Sequence, residues 1–150
     1  MKLVNLYEYV FNHIENMSEI KKQYLVLLGE LTTVSDISNE HFFKNIQQIH
    51  SMGQIIVGLE IDTIVCSGTL IIEPKIIHGG KSVGHIEDIV VLPQYRNKGI
   101  ANELLEHLKQ IAVKNNCYKI ILDCNECWVA FYEKNGFSQK GIQMAEYILF

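Results

Sequence analysis

Apolar side chains at Tyr7, Val10, Phe11, Ile14 and Met17, then at Tyr24, Leu25, Leu27, Leu28 and Leu31, recur every three or four residues. That spacing predicts two amphipathic helices across residues 4–31, broken near Met17-Ser18. Residues 32–39 are a polar connection, and Ser38 followed by Glu40, His41 and Phe42 opens a short helix to about His50. Gly53 and the β-branched run Ile55 to Ile61 predict a strand, Asp62-Thr63 a turn, and Ile64 to Glu73 an antiparallel partner. Val83 to Leu92 predicts a buried strand, and Pro93 stops it. Ile100, Ala101, Leu104, Leu105, Leu108, Ile111 and Ala112 mark a long helix within residues 98–115. A strand over Tyr118 to Cys124, a helix over Glu126 to Lys134 stopped by Asn135-Gly136, and a last strand over Ile142 to Phe150 complete the pattern. The order is that of a mixed α/β (α+β) fold around one sheet.

Composition narrows this picture. The 150 residues are 48% hydrophobic and 20% charged, with 10 Gly and 2 Pro, and no linker or repeat divides them. We read residues 1–150 as a single domain, long enough to bury roughly 68 to 70% of its unfolded surface without disulfides or a structural metal. A net charge of −4 with no basic cluster argues against nucleic acid as a partner. No apolar run approaches the ~18 to 20 residues of a membrane span, and the N-terminus lacks the apolar core and cleavage site of a secretion signal. A cytoplasmic location follows as the expectation, with Cys66, Cys117, Cys124 and Cys127 as free thiols. Cys124 and Cys127 form a C-x-x-C, which leaves redox chemistry or half a zinc site open. Two further ligands would be needed, and Cys66 and Cys117 are not spaced as a second pair.

Between the predicted buried strand and the long helix lies Arg96-Asn97-Lys98-Gly99-Ile100-Ala101, an R-x-x-G-x-A loop. Main-chain N–H groups there have no intrahelical partner, and the helix dipole adds positive potential, so the loop is suited to an anion. Gly99 permits close approach, Ala101 leaves room, and Arg96, the only arginine, and Lys98 add charge. An ordinary strand-to-helix turn with solvated cations is the plainer alternative. The loop departs from both the Walker pattern and the G-x-G-x-x-G fingerprint. In this context it resembles the GCN5-related N-acetyltransferase (GNAT) superfamily, whose loop holds the pyrophosphate of acetyl-CoA. The resemblance implies the GNAT fold, a central mixed, mostly antiparallel sheet flanked by helices. It also implies contacts to acetyl-CoA from Ile89, Val90, Val91, Arg96, Asn97, Lys98, Gly99, Ile100, Ala101, Asn102 and Tyr132, and no metal.

Three longer strings are more specific: Gly84-His85-Ile86-Glu87-Asp88-Ile89-Val90-Val91, Cys117-Tyr118-Lys119-Ile120-Ile121-Leu122-Asp123-Cys124, and Phe131-Tyr132-Glu133-Lys134-Asn135-Gly136-Phe137. They resemble the glucosamine 6-phosphate N-acetyltransferase family, with likeness from about Leu31 to Met144. Glu87 and Asp88 are adjacent carboxylates in an apolar strand, where burial of charge is costly. Either local hydrogen bonds at a strand bulge satisfy them, or they orient an amino sugar while a main-chain N–H near Ile89 to Val91 faces the thioester oxygen. The resemblance implies that Asp123 holds the amine and helps take its proton, that Glu87 shares that work, and that Tyr132 is general acid for the departing thiolate. A helix-cap residue and an aromatic core residue are the alternatives for Asp123 and Tyr132. Thr32, Lys75 and His78, with Glu87, Asp88 and Asp123, fall where the family binds glucosamine 6-phosphate.

The family also places its C-terminal strand across a two-fold axis, which implies a homodimer with the acceptor site near the interface. The activity implied is transfer of an acetyl group to the 2-amino group of glucosamine 6-phosphate, on the route to UDP-N-acetylglucosamine. Three departures stand out. Residues 4–17 read as helix where the family opens with a strand, Trp128 replaces a common Asn, and Tyr147 stands where a basic residue can occur. The last two leave open acetylation of another small amine, or acetyl-CoA binding without catalysis.

Overall fold

The computed structural model describes residues 1–148. Its elements run β1 (Lys2–Asn5), α1 (Leu6–Asn12), α2 (Met17–Leu28), α3 (Asn39–Met52), β2 (Gly53–Glu60), β3 (Thr63–Pro74), β4 (Ser82–Val91), α4 (Ile100–Lys114), β5 (Cys117–Ile121) and α5 (Val129–Lys134). The strands form one sheet in the order β1-β2-β3-β4-β5. The first four are antiparallel neighbours, and β5 lies parallel to β4.

Alternation along the strands splits the core into two layers, one on each face of the sheet. On one face Ile55, Val57, Ile64 and Val90 pack with Leu6, Val10, Ile20, Tyr24, Leu27, Phe42 and Ile46 of the first three helices. On the other, Ile56, Cys66, Leu70, Ile86 and Val91 meet Leu104, Leu105, Leu108, Ile111 and Ala112 of α4. Leu104, Leu105 and Leu108 are completely buried, each stabilising the fold by about 2 kcal/mol. The long helix predicted within residues 98–115 is therefore the element that closes one side of the sheet.

The hairpin forms with its turn one residue early. Ile61 and Asp62 both have positive φ (45° and 61°) between the paired Glu60 and Thr63. Two left-handed central residues match the right-handed twist of the flanking strands, and that requirement outweighs the apolar character of the exposed Ile61.

Three expectations need correction. Residues 4 and 5 are not helical: β1 pairs with β2 through Lys2↔Leu59 to Asn5↔Ile56, so the chain does open with a strand. The Asn5 side chain then accepts from the Glu8 N–H at 3.2 Å and starts α1 at Leu6. The second strand of the C-terminal half stops at Ile121, not Cys124, because β4 and β5 pair only from Ser82↔Cys117 to His85↔Ile121. The strand expected over 142–150 is not formed by its described residues. Ile142, Met144, Tyr147 and Ile148 are exposed, and with no neighbouring strand to bond them their apolar character cannot produce one. Leu149 and Phe150 lie outside the described residues.

Candidate active site

The site is organised by a break in the register between β3 and β4. Thr69 pairs with Glu87 and Ser67 with Val90, leaving Asp88 and Ile89 opposite Gly68. Asp88 takes φ +53°, and the strand bulges there. Ile86 and Ile89 consequently share the α4 face although they are three positions apart. Gly68 makes this possible: a Cβ there would lie 2.5 Å from Ile89 Cδ1 and 3.0 Å from Leu108 Cδ1. Beyond His85, β4 has no pairing with β5 and is bonded on its β3 side alone. The two parallel strands thus form a fork with an open main-chain edge along Ile86 to Val91.

Past the prongs of that fork, a turn over Pro93–Tyr95 leads to the N-terminus of α4. Asn97 and Gly99 both adopt left-handed backbone (φ 61° and 79°), and no side chain caps the helix. A Cβ on Gly99 would meet nothing within 4 Å. The first-turn amides of Ile100, Ala101 and Asn102 have no side-chain cap and the helix dipole lies behind them, which makes this a nest suited to an anion. Its residues suit the diphosphate of acetyl-CoA. Arg96 is less free than its sequence position suggests. Its Nε donates to the Val91 carbonyl at 2.9 Å and its Nη2 to Glu30 at 3.1 Å, tying the loop to the end of α2. Lys98 Nζ sits 5.2 Å from the Tyr95 ring centroid, and Asn102 accepts from Asn135 at 3.2 Å, joining α4 to the end of α5.

Glu87, Asp88 and Asp123 are all exposed, so most of the expected penalty for burying charge is relieved: the fork opens this part of β4 to solvent. The three carboxylates still act on one another. Partial desolvation against the strand, then the charges of Asp123 and Asp88, hold Glu87 above the usual carboxylate range, while His85 acts in the opposite direction. Tyr132 is half-buried on α5, edge-on to Phe131 and Phe137 at ring separations of 5.0 and 5.9 Å. Burial raises its phenol above the ordinary value, with Cys124 and Asp123 adding to the effect, so the phenol keeps its proton at neutral pH. Asp123 is thus the common electrostatic neighbour of Glu87 and Tyr132.

The remaining predicted residues are not brought together within one chain. Glu30, two residues before Thr32, meets Arg96, which is bonded to Val91, so Thr32 stands at the Val91 end of β4. It borders an open groove of about 650 Å³ that also takes in Lys21, Lys22, Gly29, Ser35 and Asn39. Lys75 and His78 belong to the turn at the Ser82 end, roughly 30 Å away at about 3.3 Å of strand rise per residue. There Lys75 is ion-paired with Glu73, and His78 stacks on Tyr118 at 4.1 Å between centroids.

Two groups escaped the reading of the sequence. Tyr24 on α2 is buried beneath the bulge beside Ser67 and Thr69, and burial pushes its phenol up to about 12. His85 Nε2 donates to the Glu73 carboxylate at 2.6 Å. His85 could have been found from its place two residues before Glu87, on the same strand face. Glu73 could not, since its approach depends on the β3–β4 register.

The comparisons with known proteins agree with this geometry. The Acetyltransferase (GNAT) family profile matches residues 18–137. Glucosamine 6-phosphate N-acetyltransferase of Arabidopsis thaliana is 36% identical over 136 residues, covering 87% of this chain and 91% of the relative. The corresponding protein of Dictyostelium discoideum is 37% identical over 138 residues, 89% and 87% of the two chains. The crystal structure of the Arabidopsis thaliana enzyme superposes with a TM-score of 0.85 at 33% identity, over 97% of each chain. GNAT enzymes use acetyl-CoA, and the open nest at α4 fits that requirement. Among the described residues no group of three or more His, Cys, Asp or Glu could hold a metal, and no helix is long and apolar enough to cross a membrane. Fold, forked strands and sequence likeness lead to one conclusion: the chain belongs to the GNAT acetyltransferases and, among them, to the glucosamine 6-phosphate N-acetyltransferase family.

Proposed function

We propose that the protein transfers the acetyl group of acetyl-CoA to the 2-amino group of glucosamine 6-phosphate, giving N-acetylglucosamine 6-phosphate and CoA, within UDP-N-acetylglucosamine synthesis. The observation that supports this reading is the fork, whose open strand edge leads toward the nest at α4 and whose Glu87 shares Asp123 as an electrostatic neighbour with the protonated phenol of Tyr132. The family's relatives supply the identity of the acceptor.

In this reading Asn97 to Asn102 hold the diphosphate of acetyl-CoA mainly by main chain, with Arg96 and Lys98 adding charge. Ile89, Val90 and Val91 offer the free edge of β4 to the rest of the coenzyme, and one of their N–H groups stabilises the thioester oxygen. The bound thioester supplies an acyl carbon open to direct attack. Asp123, with Asp88 beside it, positions the acceptor amine, and Glu87 receives the proton that its nitrogen sheds. As the N–C bond forms and the C–S bond breaks, the electron pair goes to sulfur and Tyr132 protonates it. No covalent enzyme intermediate is involved.

Thr32 from one subunit and Lys75 and His78 from another would complete the acceptor site in a homodimer. Two observations support this: these residues are far apart within one chain, and Ile142, Met144, Tyr147 and Ile148 present apolar surface. The protein works in the cytoplasm on this reading. A second reading, acetylation of a different small amine, draws on the exposed Trp128 and Tyr147 and on the pairing of Lys75 with Glu73. Thiol release from acetyl-CoA decides between them. Glucosamine 6-phosphate should support turnover well above unphosphorylated glucosamine and a peptide amine. Equal or greater turnover with either competitor transfers the assignment to the second reading.

A further inference from the structure

The short helix that carries Tyr132 is tied to α4 by polar bonds that the reaction outlined above leaves unused. α5 has six residues, none of them fully buried, and so short a helix does not hold its place by backbone bonding alone. Phe131 and Tyr132, with Phe137 just beyond the helix, pack part-buried on the α4 layer, but apolar contact is non-directional. Direction comes from Asn135. Its Nδ2 donates to Asn102 Oδ1 at 3.2 Å and to the Phe131 carbonyl at 2.9 Å. Its main-chain N–H and that of Phe137 donate to the Tyr132 carbonyl at 3.0 and 3.1 Å.

Asn102, Glu106 and Lys109 recur on α4 at intervals of four and three, so they lie along one stripe of the helix. Lys109 Nζ donates to the Asn135 carbonyl, pairs with Glu106, and sits 5.4 Å from the centroid of the Phe137 ring. That ring is in turn edge-on to Tyr132. α4 therefore grips the end of α5 at two points about two turns apart, Asn102 and Lys109. Asn102 also belongs to the first turn of α4, whose uncapped amides form the nest. One side chain thus bonds both the turn that carries Tyr132 and the turn that forms the nest. We propose that Asn135 is a positioning residue for acetyl transfer, fixing the Tyr132 phenol relative to the turn of α4 that holds the coenzyme's diphosphate. The sulfur to be protonated lies at the far end of the coenzyme from that diphosphate, so the phenol meets it only if α5 is set at a fixed place against α4. This role rests on the acetyl-transfer reading, but the tie between the helices does not.

The test breaks the tie from either side, in the full chain. Without ligands, Asn102→Ala should raise hydrogen exchange of the Asn135 and Phe137 amides roughly fivefold, as expected for loss of one hydrogen bond, and leave amides in the middle of α4 at their wild-type rates. At saturating acetyl-CoA, where a change in the affinity of the nest no longer counts, Asn102→Ala and Asn135→Ala should each lower kcat with glucosamine 6-phosphate about tenfold. The double variant should be no slower than Asn135→Ala. In a Tyr132→Phe background neither substitution should lower kcat by more than about twofold, because no phenol remains to be misplaced. Unchanged exchange or unchanged kcat in Asn102→Ala overturns the proposal and leaves Asn135 as a cap on α5 alone. Equal losses with and without the Tyr132 hydroxyl also overturn it. If wild type acetylates no amino sugar, the functional reading fails while hydrogen exchange still decides whether the tie exists.

Discussion

The two halves of the site are built on different principles. The nest at α4 is made of main chain from six consecutive residues, and its chemistry is set by two left-handed backbone positions, Asn97 and Gly99. The proposed acceptor face is made of side chains from β4 and the segment after β5, where partial desolvation and then neighbouring charges act on Glu87. A main-chain site is robust to side-chain change but intolerant of altered backbone. A side-chain site is the reverse.

That contrast can be broken or sharpened by substitution. The largest effect is expected from Tyr132→Phe, which should lower kcat by about 100-fold, the lower range for loss of a general acid, with acetyl-CoA affinity little changed. Equal turnover would remove the phenol from the reaction. Asp123→Asn should lower kcat/KM for the sugar by roughly 30-fold through lost positioning. It has a second signature. Asp123 raises Glu87, and a raised carboxylate gives up its proton at higher pH. Removing that charge should therefore move the acidic limb of the rate profile downward, whereas an unmoved limb would disconnect the two residues.

Gly99→Val tests the other half. A β-branched residue at φ +79° is strained by about 1 to 2 kcal/mol, enough to weaken acetyl-CoA binding roughly tenfold by calorimetry while leaving sugar affinity intact. Gly68→Ala links the halves, because the new methyl collides with the Ile89 side chain that the bulge turns toward α4. A stability loss of about 1 to 2 kcal/mol, seen as a lower denaturant midpoint, should accompany lower kcat. The smallest effect belongs to Glu30→Ala. Its ion pair with Arg96 is largely solvent-exposed, so stability should change by less than about 0.5 kcal/mol.

The same contrast explains what the chain reveals before folding. The nest is local, and Arg96 to Ala101 announce it through residue type and the amphipathic helix that follows. The bulge is half legible: two carboxylates interrupting an apolar strand mark the place, but the collision that Gly68 avoids depends on packing against Ile89 and Leu108. β1 was obscured because Val4 continues the helical spacing of Tyr7, Val10 and Phe11. Asn5 followed by Glu8 carried the signal that separates strand from helix. The segment 142–150 shows the opposite error. Its residue types favour strand, and no local pattern can say whether a partner edge will be present. Glu73 and His85 lie twelve residues apart, and only the β3–β4 register joins them.

The fork also bears on how this protein avoids uncontrolled strand pairing. Along Ile86 to Val91 a strand that is interior by sheet order is, in hydrogen bonding, a border. Bare borders invite another chain to extend the sheet, and proteins guard them with kinks and charge. Asp88, with its left-handed kink, and Glu87 form such a guard. Neutralising both to dissect catalysis would also disarm it, so such variants belong on a light-scattering instrument before a spectrophotometer.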